Sequence, residues 1–166
     1  MYRVGETVLY GRSGVCRIVA RGTLDFCTSG QEYYVLRPIT SESTVYVPVD
    51  SERLLGRMHR LLDRAALTAL LSSREIKAGE WIENETQRKN ASEQVVDSGD
   101  RAAILRLLRT LTARRDELIA RGRHLWQSDE RLLRDVERVL VDEISCVLEV
   151  SRAHAQAMLV GEPAVL

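Results

Sequence analysis

The chain has no apolar run that approaches the roughly 18 residues of a membrane-spanning helix. Its N-terminus, MYRVGETVLY, also lacks the charged segment followed by an apolar one that marks a secretory signal peptide. Both absences argue against insertion into a membrane and against export. We therefore expect a cytoplasmic protein that has no membrane partner.

Cysteine is scarce, with Cys16, Cys27 and Cys146 as the three examples. Their spacings match no zinc or redox motif, and an odd number argues against a disulfide framework. Cys16 falls in a strand-like run and Cys146 on the apolar face of a predicted helix, so both are expected to be buried. The sequence predicts no metal and no cofactor.

The sequence shows no grouping of residues that is typical of a catalytic site. The histidines, His59, His124 and His154, have no second His or Cys at metal-ligand spacing. The sequence contains no Gly-rich phosphate loop and no GxSxG or HExxH motif. Acidic residues lie three or four positions from Arg, the usual spacing of surface ion pairs. We predict a protein that is not an enzyme and takes no small-molecule substrate.

Net charge is also absent, because 24 basic residues balance 24 acidic ones. A neutral chain has no bulk field that drives binding to nucleic acids, so any basic site must be a local patch. Lys77 and Lys89 are the only lysines. The predominance of Arg suits recognition of phosphate and carboxylate groups. It also arises in a GC-rich genome, and both explanations stay open.

Residues 1–50 have the pattern of short strands. The runs ETVLY, GVCRIVA, EYYVLRPI and STVYVPV are rich in β-branched and aromatic residues. Turn-forming segments, GRSG, CTSGQ and TSES, separate them. Because the connections are short, consecutive strands should pair as antiparallel hairpins in a small, strongly bent sheet or barrel.

Beyond residue 50 the apolar period becomes helical. Residues 51–62 and 63–73 carry apolar residues at three-to-four spacing, with Ser51 and Asp63 as N-caps. Residues 79–96 form a weaker predicted helix. The remaining predicted helices are capped by Asp100, Ser128 and Ser151, and the first of them ends at Gly122.

The predicted fold class is α+β, a small antiparallel β module followed by an all-α helical domain. We place the β domain at 1–50, the helical domain at 51–160 and a frayed tail at 161–166.

Three arginines, Arg131, Arg134 and Arg138, recur at helical spacing along one line of a predicted helix. This row spans roughly 10 Å at 1.5 Å per residue, enough to touch two or three phosphates of a nucleic-acid backbone. The alternative is a set of surface ion pairs, Arg131 with Asp135 and Arg138 with Asp142.

Trp81 is the second candidate for contact with nucleic acid. In a helix, the positions stacked beside it would all be polar or charged, and they include Arg88 and Lys89. An exposed Trp beside cations suits stacking on an unpaired base or wedging into a groove. The alternative is a Trp packed against a neighbouring helix.

The N-terminal run YRVGETVLYGRSGVCRI resembles the opening of the CarD/CdnL family of bacterial RNA-polymerase-binding transcription regulators. There a Val-Gly-Asp pattern leads into a strand that ends in Tyr and then into a Gly-containing turn. The corresponding residues here are Val4, Gly5 and Glu6, followed by Tyr10 and Gly14. EYYVLRPI and STVYVPVD resemble the next two strands of the family. The run from EWIENETQRKN through DSGD to ERLLRDVERVLVDEISCVL is similar to its helical domain.

The resemblance implies a Tudor-like N-terminal domain that docks by strand pairing on the β subunit of RNA polymerase. The contacts would lie at Leu24, Phe26 and Tyr46. Leu24 and Tyr46 stand where some members have Arg, so we expect a more apolar docking surface. The resemblance also implies a helical domain that contacts promoter DNA at the upstream edge of the melted bubble. By position, the Trp that wedges into the minor groove there corresponds to Trp81.

We therefore expect a transcription regulator that bridges RNA polymerase and promoter DNA and modulates open-complex stability. A protein held by polymerase needs only weak intrinsic affinity for DNA, which fits the neutral charge. The alternative is a protein–protein adaptor without DNA binding. The residues predicted to contact DNA are Trp81, Arg88, Lys89, Arg131, Arg134 and Arg138.

Overall fold

The computed structural model describes residues 1–160, and the predicted tail at 161–166 lies outside the described residues. Five antiparallel strands form a sheet in the order β4-β3-β2-β1-β5. Helices follow the sheet along the chain, so the predicted α+β class is confirmed. The strands are β1 (Thr7–Tyr10), β2 (Gly14–Thr23), β3 (Glu32–Pro38), β4 (Val45–Pro48) and β5 (Met58–Arg60).

The fifth strand comes from the stretch predicted to be helical over 51–62. Ser51 does cap a helix there, but α1 (Glu52–Leu55) lasts for a single turn. β5 then pairs with β1, with Met58 opposite Tyr10. The longer helix prediction is wrong, because pairing with β1 satisfies backbone groups that the edge of that strand would otherwise leave open.

Five further helices complete the described chain. The side chains of Asp63, Asp100 and Ser151 each accept a hydrogen bond from the backbone N–H three residues on, which confirms them as caps. The helix that Asp100 caps ends just before Gly122, whose φ of 70° suits a C-terminal glycine. The helices are α2 (Arg64–Ser72), α3 (Glu85–Ser98), α4 (Arg101–Ala120), α5 (Gln127–Leu148) and α6 (Arg152–Val160).

Trp81 precedes α3 and belongs to a loop. The helix predicted over 79–96 begins only at Glu85, because Asn84 caps it and accepts a hydrogen bond from the N–H of Gln87 at 2.9 Å. The polar positions that helical spacing would have stacked beside Trp81 therefore do not surround it in that way.

The cap of α5 also differs from its prediction. Ser128 lies inside the helix, and its hydroxyl donates a hydrogen bond to Glu85 at 3.2 Å. The N-cap is Trp126, which makes no side-chain capping bond. The Ser128 hydroxyl, which the sequence predicted as the cap of α5, is instead bonded to Glu85 of α3.

The sheet and the helices share a hydrophobic core. Leu9 and Val15 of the sheet pack in one cluster with helical residues that include Ile104 and Ile144. A second cluster lies within the sheet and includes the fully buried Ile18. Because sheet residues complete the helical core, the two halves are held in one fixed relation.

A buried charge network reinforces that relation. Arg101 bonds both carboxylate oxygens of Glu143, with its Nε at 3.0 Å from one of them. The same guanidinium donates to the backbone oxygens of Gly99 and Arg60, at 2.6 and 2.7 Å. The N–H of Leu62 donates to Glu143 at 2.9 Å. The network therefore ties the end of β5 to both α4 and α5.

The cysteines divide between interior and surface. Cys16 is buried, as predicted, and burial raises the pKa of its thiol to about 12. Cys146 is exposed, so that prediction is wrong. The buried stripe of α5 runs through Ile144 and Leu148, which turns the position between them toward solvent. Within residues 1–160, no helix has the length and apolarity to cross a membrane.

Candidate functional site

β4 forms one open edge of the sheet. The N–H of Val49 bonds the carbonyl of Glu32 at 3.0 Å, and bonded pairs alternate with non-bonded ones along antiparallel strands. Tyr46 and Pro48 therefore occupy non-bonded pairs, with their backbone groups directed away from β3. Pro48 has no N–H, so Tyr46 supplies a backbone donor and an acceptor at this edge.

Two aromatic side chains lie beside the open edge. The rings of Phe26 and Tyr46 meet edge to face with their centroids 5.4 Å apart. They remain 69% and 43% exposed, which is unusual for apolar rings already in contact. The half-buried Leu24 stands two residues before Phe26. The structure thus brings two of the three predicted docking residues into direct contact.

Two guanidinium groups lie against the ring of Trp81. The centre of its ring lies 4.5 Å from the guanidinium carbon of Arg88 and 5.4 Å from that of Arg114. The ring is half-buried and also packs against the helical core. Trp81 is therefore held in place by the protein itself, with only part of its surface open to a partner.

Arg88 is buried, and its guanidinium bonds groups inside the molecule. Its Nε and Nη2 bond the two carboxylate oxygens of Asp129 at 2.9 and 2.8 Å. Its Nη1 donates to the carbonyls of Ile82 and Glu83, at 2.8 and 3.1 Å. At 8% exposure, with four of its five N–H donors bonded inside the protein, Arg88 is closed to a phosphate, and its contacts hold the loop that carries Trp81.

The row of arginines on α5 divides into free and engaged members. Arg131 and Arg134 are exposed, and neither forms an ion pair within residues 1–160. Arg138 donates to the carbonyls of Arg12 and Ser13, at 2.6 and 3.2 Å. Two guanidinium groups of the row are therefore open to an anion, and the third fastens α5 to the turn after β1.

The ion pairs that would have explained this row are not the ones that form. Asp135 bonds Arg12 at 2.5 Å, and Asp142 pairs with Arg152. Arg138 reaches Asp135 at 3.6 Å instead of Asp142. Tertiary neighbours take both carboxylates, which is why helical spacing misassigned them.

Trp126 is an exposed aromatic residue that was not predicted as a site residue from the sequence. At 68% exposure, it is among the most exposed large hydrophobic side chains in the described chain. It stands at the N-cap of α5, where Ser, Thr, Asp or Asn would stabilise the helix more. A Trp at the start of a helix, two residues after the basic segment RGRH, is the signal that could have found it.

No cluster of His, Cys, Asp and Glu suited to a metal ion occurs in the part of the chain that the structure describes. The accessible chemistry is that of two surfaces, an open strand edge with aromatics and a helical face with unpaired cations.

Two protein-family models match the chain, one over its N-terminal part and one over its helical part. Residues 2–61 match the model described as CarD-like/TRCF RID domain, and residues 66–160 match CarD, C-terminal domain. The chain belongs to the CarD-like family. The CarD-like resemblance seen in the sequence is thereby confirmed. It makes this protein a transcription regulator that interacts with RNA polymerase.

Proposed function

We propose that this CarD-like protein docks on the β subunit of RNA polymerase through β4 and contacts promoter DNA through its helical half. In that position, at the upstream edge of the melted bubble, it modulates the stability of the open complex. One observation carries the proposal: the molecule has both an open strand edge and a helix with exposed arginines that form no ion pair within residues 1–160. The shared core holds that helix rigidly to the sheet.

Docking by strand addition follows from the edge of β4. Main-chain hydrogen bonds to Tyr46 supply affinity, and the exposed rings of Phe26 and Tyr46 supply apolar contact to the added strand. Exposed aromatic anchors are typical of the residues that dominate binding energy in protein interfaces. Leu24, beside them, extends the same apolar surface.

DNA contact follows from the unpaired cations. Lys89, Arg131 and Arg134 are exposed, and we propose them as the phosphate contacts. Trp81, Arg88 and Arg138 then have supporting roles, since each is held by contacts inside the protein. The affinity of two or three phosphate contacts is modest, but attachment to polymerase raises the local concentration of DNA.

The docking half is tested by changing the backbone of the edge. Tyr46→Pro removes the outward N–H and leaves the bonds to β3 in place, so retention of the protein on RNA polymerase core enzyme should fall at least tenfold. Tyr46→Phe keeps the N–H and the ring and serves as the matched control. Equal retention of both variants would refute docking through β4.

The DNA half is tested with fork-junction DNA, in the presence and absence of polymerase. Removing Arg131 and Arg134 together should weaken the ternary complex and reduce its dependence on salt. The control variant, Arg3→Ala/Arg53→Ala, removes two exposed cations from elsewhere in the chain. Identical behaviour of the two double variants would contradict the proposed DNA surface.

The neutral net charge also supports a second candidate, an adaptor that binds polymerase and another protein without touching DNA. This candidate predicts that the affinity of the protein for polymerase is the same with and without DNA. Measurement of polymerase binding with and without fork-junction DNA separates the two functions.

A further inference from the structure

A cleft of about 270 Å³ opens where the loop before α3 meets the end of α4 and the start of α5. It lies beside the buried Arg88–Asp129 ion pair. This volume is slightly below the usual range for a drug-sized ligand, which suits one small planar group. The side chains with recognition chemistry that line it are Trp81, Arg114, Arg123, His124 and Trp126.

The aromatic wall of the cleft is offered to solvent. Trp126 is 68% exposed, whereas the ring of Trp81 is half-buried and contacts two guanidinium groups. Leaving a Trp in water forgoes the free energy of its burial, and here it also displaces a capping side chain. A planar ligand that stacks on the indole of Trp126 recovers that loss.

The remaining walls carry both donors and acceptors. Arg123 and His124 are exposed on the basic side, and Arg114 has a buried Nε with no hydrogen-bond partner among the described residues. On the acidic side stand the carboxylates of Glu83 and Glu85. Glu85 also accepts a hydrogen bond from Ser128, and Asp129 is already paired with Arg88.

A ring face, hydrogen-bond donors, hydrogen-bond acceptors and a cation at the rim are the features that bind an unpaired base and its phosphate. The charges also discriminate against simpler ligands. The two carboxylates disfavour a bare inorganic anion, whereas the amino groups of a base donate hydrogen bonds to them.

We propose that this cleft takes one unpaired nucleobase of DNA, stacked on Trp126, with the adjacent phosphate on Arg123. This inference rests on the proposed contact with promoter DNA and names the aromatic residue that reads its melted strand. Arg131 and Arg134 lie roughly 8 and 12 Å farther along α5, at 1.5 Å per residue. They are therefore placed to hold phosphates next to the captured base.

The two tryptophans allow a direct test. Trp81→Phe leaves Trp126 as the single tryptophan, so its fluorescence reports contact with a base in the full-length chain. We expect quenching by a single-stranded oligonucleotide and much weaker quenching by the same oligonucleotide with abasic positions. In the native chain, Trp126→Ala should weaken anisotropy-measured binding of the intact oligonucleotide by roughly 5- to 100-fold and leave binding of the abasic one unchanged.

Equal binding of intact and abasic strands, by a chain whose circular dichroism shows it folded, would overturn the base site. The proposed DNA function would survive that result if Arg131→Ala/Arg134→Ala still lowered the salt dependence of binding. A free mononucleotide that quenches Trp126 as strongly as the oligonucleotide would overturn the assignment to a DNA strand. Loss of polymerase retention in Trp126→Ala without DNA would instead assign the residue to a protein interface and refute the base site.

Discussion

Four arginines of the helical half form a buried pair and an exposed pair. Arg88 and Arg101 are 8% and 7% exposed, and each makes a two-oxygen contact with a carboxylate on α5. Arg131 and Arg134 stand on the outer surface of α5 with no ion pair within residues 1–160. The first two join parts of the protein to each other, and the second two are available to an external partner.

The difference teaches that residue type and spacing do not assign a role to an arginine. The carboxylates that neutralise Arg88 and Arg101 lie 41 and 42 residues farther along the chain. No local pattern brings them together. A buried guanidinium must be paired, because removing its partner leaves an uncompensated charge in a medium of low dielectric constant.

The largest expected effect comes from Glu143→Ala. Glu143 is fully buried, and its loss leaves the guanidinium of Arg101 without a counterion, which should lower the free energy of unfolding by about 3–5 kcal/mol. Urea unfolding followed by circular dichroism measures it. The double variant Arg101→Met/Glu143→Leu is the control, and it should be more stable than the single variant. If both lose the same stability, burial of an unpaired charge is not the cause.

Arg88→Ala should follow, with a loss of about 3 kcal/mol, since it leaves Asp129 unpaired and two loop carbonyls without their donor. The same change should expose Trp81 and shift its emission to longer wavelength in a Trp126→Phe background. The matched control is Lys89→Ala, one position along the same helix and exposed. A free Arg88, available to phosphate, would instead leave stability and emission unchanged.

Gly99→Ala tests whether the end of α3 packs tightly against β5 of the sheet. A Cβ at this position would lie 2.3 Å from Cγ of His59 on β5, in a backbone with φ of 67°. We expect a loss of about 2 kcal/mol from the clash and the left-handed backbone together. At Gly30, φ is 69° but a Cβ meets nothing within 4 Å, so Gly30→Ala carries only the backbone part. If urea unfolding shows the same loss of stability in both variants, His59 on β5 does not pack tightly against Gly99 at the end of α3.

The smallest effect on stability should come from Arg131→Ala/Arg134→Ala. Both side chains are exposed and unpaired, so the free energy of unfolding should change by less than about 0.5 kcal/mol. Binding to DNA in the presence of polymerase should nevertheless lose roughly two charges from its salt slope. A large loss of stability would place these arginines with the buried pair and abolish the comparison.

Much of the fold was predictable because its signals are local. The caps at Asp63 and Asp100 combine a side chain that bonds the first turn with an apolar period that follows it, and both were predicted correctly. The four strands before residue 50 were predicted for the same reason. The prediction of one helix over 51–62 was wrong, since the apolar residues there are also compatible with a short helix followed by a strand. The need of β1 for a partner decided between them.

The candidate site was less predictable. The sequence singled out Trp81 but passed over Trp126, which is more than two-thirds exposed, because exposure depends on which neighbours a side chain finds. It also grouped Arg88 with Lys89, although one is buried and paired and the other faces solvent.

By itself the sequence determined the α+β class, most helix starts and the CarD-like family, because periodicity, capping residues and ordered motifs act over a few residues. Only the tertiary structure decided which charges are paired and which tryptophan is exposed. Those outcomes depend on Asp129 and Glu143, which are distant in sequence and close in space. Burial and ion pairing are properties of the packed chain, so they are settled only when the helices come together.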